Sequence, residues 1–171
     1  KHVLSALSES LTNKEIIPKM NYIISEYELF HQSQNPFKLL TSGMEIRSKE
    51  PYYTHKKWRF NQRYAWWDHY TDDKPVVIGH YWRKLNNSIN NMPDNFFLNI
   101  EKTSWHGNKN NVFCIDYSVG LRFEERLTAP LQKNTFLVAL RFPENILITE
   151  DNVEIKALNY DSLSNESFKS N

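Results

Sequence analysis

The residues best suited by type and spacing to do chemistry lie in Pro75-Val76-Val77-Ile78-Gly79-His80-Tyr81-Trp82, an apolar run that closes on an imidazole and two aromatic rings. Val76 to Ile78 are β-branched and uninterrupted by polar side chains, which predicts a strand covered on both faces. Gly79 is expected to let the backbone bend or approach closely where that strand ends. His80 is then delivered to a defined place, where an imidazole can serve as a hydrogen-bonded structural group or as a metal ligand. Residue types alone leave both roles open.

A second constellation covers residues 56–67. Even positions run Lys56, Trp58, Phe60, Gln62, Tyr64, Trp66, and odd positions run Lys57, Arg59, Asn61, Arg63, Ala65, Trp67. That period of two predicts a strand with one aromatic and one basic face. Arg59 and Arg63 could offer guanidinium forks to a phosphate, and arginine interleaved with tryptophan also suits base stacking on single-stranded nucleic acid. The third block, Asn111 to Val119, reads as a strand through Val112, Phe113 and Ile115 that ends in Asp116, Tyr117 and Ser118. Polar residues there belong near a site, with Tyr117 either facing a pocket or closing a hydrogen-bonded turn.

Taken in order with Leu39 to Ile46, Arg63 to Asp68 and Leu137 to Phe142, these blocks resemble the C-terminal half of the calcineurin-like metallophosphoesterases. The group in question is the bacterial diadenosine tetraphosphatase-like and serine/threonine-phosphatase-like one, and the likeness runs over residues 35–153. It implies a hydrolase of phosphoester or nucleoside-polyphosphate bonds that uses water activated by two divalent ions, manganese, iron or zinc. By the same resemblance His80 is a metal ligand, and Arg63, Tyr117 and Arg59 are the substrate-side candidates. Where the family carries an arginine before Trp-Trp-Asp this chain has Ala65, so Arg63 has to serve. The family's other ligands come from Asp-x-His, Gly-Asp-x-x-Asp, Gly-Asn-His and a further histidine, all upstream. Here the four glycines precede Met44, His80, Asn108 and Leu121, so no Gly-Asp occurs.

The chain, whose first residue is Lys1, is therefore expected to be the C-terminal portion of such a domain, inactive alone and weak in metal binding. The missing N-terminal half or a second chain would cover the exposed sheet. The alternative is a non-catalytic module that binds phosphate or nucleic acid through the Lys57, Arg59, Arg63 and tryptophan face.

Several elements must position these groups. The expected class is α/β or α+β: part of a metallophosphoesterase-type sandwich, with a helical N-terminal segment followed mostly by strands in one sheet. Thr12-Asn13-Lys14-Glu15 matches a capping box, and Ile16, Met20, Ile23, Ile24, Tyr27 and Phe30 recur at helical spacing. Pro18 allows two helices or one kinked helix, and Asn35-Pro36 ends the segment. Phe136 to Phe142 and Ile146 to Thr149 read as a hairpin around Pro143-Glu144-Asn145. Residues 84–110 are expected to form an asparagine-rich surface loop, with a short helix after Pro93 and His106 at the surface. Residues 121–134 read as a charged insertion.

The 171 residues suffice for one domain over 1–160, with a polar tail over 161–171 expected to be disordered. With 21 basic and 20 acidic side chains, no global field favours nucleic acid or an anionic membrane. No run approaches the ~18 apolar residues of a membrane span. The single cysteine, Cys114, reads as a buried small hydrophobe in a reducing, cytoplasmic setting.

Overall fold

The computed structural model describes residues 11–19, 21–83, 85, 96–97, 99–128 and 135–160. Helices and strands are mixed, which gives the protein α+β character. Two compact units divide the chain, Lys1–Tyr64 and Ala65–Asn171.

In the first unit, helix α1 (Asn21–Ser33) lies on a hairpin of β1 (Glu45–Thr54) and β2 (Lys57–Arg63). Thr12 does not open that helix. It is itself helical, and Asn13 folds an Asx turn by accepting the Glu15 N–H at 3.0 Å. That turn and Pro18 keep 13–19 out of helix, so α1 begins only at Asn21; Met20 lies outside the described residues. Asn35-Pro36 does end α1, and it also starts α2 (Pro36–Ser42), with the Asn35 side chain accepting the Lys38 N–H at 3.1 Å and proline in the first turn.

The face that α1 turns inward is largely polar. Ser25 donates to Asn61 Oδ1 at 2.5 Å, Asn61 Nδ2 donates to Glu28 Oε2 at 3.1 Å, and Gln32 both donates to the Gly43 carbonyl and accepts the Glu45 N–H. Of the described residues of the apolar series only Ile24 is buried, while Ile16, Ile23, Tyr27 and Phe30 face solvent. The hairpin itself is irregular. Arg47 pairs with Asn61 and Tyr52 with Arg59, so Ser48 to Pro51 bulge out, a position where proline's missing donor does no harm.

The second unit is built around β4 (Val112–Cys114), whose three residues are fully buried. Successive side chains of a strand point to opposite faces. Val112 and Cys114 accordingly join Trp67 and Tyr81 in one core, and Phe113 joins Trp105, Leu147 and Ala157 in another. Strand β3 (Val76–Ile78) runs parallel to β4, in register from Val76 opposite Val112 to Ile78 opposite Cys114. It is not covered on both faces as its composition predicts. Val76 and Ile78 pack on the first core, but Val77 is 49% exposed.

Strands β5 (Val138–Arg141) and β6 (Ile146–Thr149) form the expected hairpin, and β7 (Glu154–Lys156) adds a third antiparallel strand. Instead of one sheet, the strands of the described residues form three: β1-β2, β3-β4 and β5-β6-β7. Helix α3 (Arg122–Thr128) occupies part of the charged insertion. The strand expected over 56–67 stops at Arg63, and Trp66–His69 is a turn of 3-10 helix that sinks Trp67 into the first core. The start of the helix expected after Pro93, residues 84, 86–95, 98 and 129–134 of the two insertions, and the 161–171 tail fall outside the described residues.

Candidate functional site

Parallel strands β3 and β4 end side by side, and the loops that follow them are stitched together. The Ile115 N–H donates to the Ile78 carbonyl at 2.9 Å, carrying the ladder one residue past the strands. Next comes Asp116, whose groups organise both loops. One carboxylate oxygen accepts the His80 N–H at 2.8 Å, the other accepts the Ser118 N–H at 2.9 Å, and its backbone carbonyl accepts the Arg83 N–H at 2.7 Å. The Ser118 hydroxyl returns a bond to the Arg83 carbonyl at 3.1 Å.

Within this knot His80 (φ 69°), Trp82 (φ 52°) and Ser118 (φ 64°) all adopt left-handed backbone. Such conformations cost non-glycine residues energy, on the order of 1–3 kcal/mol each, and persist only where the surroundings hold them. Gly79 is not among them, and a Cβ placed on it meets nothing within 4 Å. The turn expected of Gly79 is thus taken by His80, whose residue is exposed at the C-terminal end of β3.

Arg83 anchors the knot from below. It is 1% exposed, and its Nη2 donates to the carbonyls of Glu101 and, at 2.8 Å, of Ser104. The guanidinium lies over the Phe113, Phe97 and Tyr117 rings at 5.2 to 5.9 Å. Burial lowers its pKa, countered by Tyr117 and Cys114. Its Nε and Nη1 find no hydrogen-bond partner among the described residues. An orphaned buried donor costs about 1–3 kcal/mol, so this is an expensive way to hold a loop. Sequence reasoning passed over Arg83; the only available signal was a cation directly following the Gly-His-Tyr-Trp run.

Tyr117, a substrate-side candidate in the sequence, points inward. It is buried, its hydroxyl donates to the Lys102 carbonyl at 2.7 Å, and burial raises its pKa to about 12. Cys114 is buried as expected, its thiol pushed up to about 11 by the loss of water.

His106, expected at the surface, is 3% exposed between Trp67 and Phe97, with ring centroids 5.1 and 5.3 Å away. Burial, with the charge of Arg83 adding to it, pushes its pKa down to about 3. The neighbouring Trp105 and Ser104 are buried too, so this part of the insertion supplies core rather than surface.

Arg59 and Arg63 stand on β2 in the first unit, opposite Tyr52 and Glu45, whereas His80 and Tyr117 belong to the second. Both arginines are half-buried. The basic face they share with Lys57 is interrupted at Asn61, which α1 covers through Ser25 and Glu28. A cavity of about 140 Å³ beside the bulge is lined by Arg47, Lys49 and Glu50 among others, and by neither Arg59 nor Arg63.

Among the described residues no three His, Cys, Asp or Glu side chains gather where they could hold a metal ion. Each oxygen of Asp116 accepts one backbone N–H. The chain matches no family model, no curated protein and no solved structure.

Proposed function

We propose that this chain is the C-terminal portion of a metal-dependent phosphoesterase and contributes one imidazole, His80, to a two-metal centre. The observation that carries the reading is the position of His80: exposed at the end of a parallel strand and tied by its own N–H to Asp116. Ligands of α/β sheets collect outside the carboxyl ends of strands, and left-handed backbone at non-glycine residues clusters at functional sites. The ordered resemblance of the Gly79-His80-Tyr81-Trp82 and Asp116-Tyr117-Ser118 blocks to the metallophosphoesterases supplies the reaction class.

The residues divide the work simply. His80 provides a neutral nitrogen donor, and Asp116 fixes the backbone from which that donor projects. Ser118 and Arg83 keep the two loops in register. Two divalent ions, when bound, supply Lewis acidity toward the phosphoester and lower the pKa of the attacking water. One imidazole does not hold two dications, so the remaining ligands come from outside the described residues.

Expressing the chain with the coding sequence in frame upstream of Lys1, and assaying a generic aryl phosphate with manganese, tests the reading. The expected result is metal-dependent hydrolysis that falls by at least about 100-fold in His80→Ala, as for loss of an essential group. Hydrolysis indifferent to His80, or no hydrolysis by the extended protein, overturns it. The 171-residue chain alone is expected to show none.

A further inference from the structure

We infer that Arg83 is the positioning residue of this site, holding the His80 loop in its left-handed conformation from inside the core. The inference rests on the reading of His80 as a ligand and extends the part of Arg83 from joining two loops to setting the backbone conformation of His80 itself. Four bonds make the case. The Arg83 side chain is fastened to the carbonyls of Glu101 and Ser104; its N–H fixes the Asp116 carbonyl; its own carbonyl is held by Ser118 Oγ. Asp116, held on that side, presents its carboxylate to the His80 N–H. The path from the anchored Arg83 to the His80 backbone therefore runs through Asp116 alone, by one hydrogen bond on each side, and it lies within the second unit.

The packing favours this role over a merely space-filling one. A buried apolar side chain at position 83 would fill the same gap between Phe97, Phe113 and Tyr117 without orphaning two donors. One terminal nitrogen, Nη2, at the end of the long side chain reaches both carbonyls of the 101–104 turn, which an apolar side chain cannot bond. The cost of burying the cation makes sense if the loop it fixes has to stay fixed.

Nuclear magnetic resonance on the 171-residue chain, without metal, tests the inference. A left-handed residue brings its amide and α protons close, so the intraresidue cross-peak of His80 is strong in the native protein. In Arg83→Met the cross-peak is expected to weaken severalfold while the Trp105 ring and Leu147 methyl signals keep their native positions. Arg83→Lys, which retains a charged terminal donor on a shorter side chain, is expected to restore it only in part. An unchanged cross-peak in a folded Arg83→Met protein overturns the inference.

If Arg83→Met does not fold, native-state hydrogen exchange of the unmodified chain decides. Exchange of the His80 and Arg83 amides together with the 104–106 backbone supports a shared opening, and exchange of His80 alone by local fluctuation overturns it. Neither measurement involves metal or turnover. A failure here leaves the phosphoesterase reading standing, and a failure of the upstream assay leaves this one.

Discussion

At the residue scale, burial decides which histidine can act. His80 is exposed at a strand end, while His106 is enclosed by Trp67 and Phe97 and held neutral, its pKa pushed down to about 3. The unfolded chain regains an ordinary histidine near 6.5. Between those values the unfolded state binds a proton that the folded state refuses, so His106 has no such effect above about pH 7. Below that it drains stability by up to about 1.4 kcal/mol per pH unit until pH approaches the folded value. Replacing it with phenylalanine should flatten the fall in unfolding free energy between pH 6 and 4, measured by urea denaturation across that range. An unchanged slope would show that His106 takes up its proton without unfolding.

Nothing in the sequence marked this histidine as internal, because its neighbours Trp67 and Phe97 are distant along the chain and follow no period. The position of His80 was legible, since a β-branched run ending in Gly-His has few other structures open to it. The conformation was not: the bend expected at Gly79 falls on the residue after it.

Elements show the same division. The hairpin of β5 and β6 could be read directly, as apolar runs broken by Pro143-Glu144-Asn145 leave little choice. Helix α1 could be read as a helix, but its inward face could not. Pattern reasoning turns apolar residues inward, whereas here Ser25 and Gln32 face the hairpin to satisfy Asn61 and the backbone at Gly43 and Glu45. A short 3-10 turn likewise interrupts what alternation suggested was continuous strand.

That turn depends on Gly107. A Cβ there would stand 2.9 Å from the Trp67 carbonyl oxygen and 3.2 Å from its Cβ, and Gly107 has φ +85°. Gly107→Ala should therefore cost about 1–3 kcal/mol, as strained or overpacked sites do. Gly79→Ala, with open space around it, should stay within about 0.5 kcal/mol. Comparing the two denaturation midpoints checks the pair, and equal losses would mean that the fit of Gly107 against Trp67 is not what holds the turn.

Across the whole molecule, composition indicated little more than balanced charge, and no helix among the described residues is long and apolar enough to cross a membrane. Mixed helix and strand was legible, but three small sheets in two units were not. Which short strands share a sheet depends on contacts between residues far apart in sequence, which local patterns do not encode. The three-residue strand β4 shows what that leaves unread. One of its faces belongs to the Trp67 core and the other to the Trp105 core. Each core thus holds one fully buried indole, and both lean on one strand that neither can lose alone. The second unit should therefore melt in a single step, with Trp67→Phe and Trp105→Phe proteins, each retaining the other core's indole, tracing transitions as sharp as that of the parent.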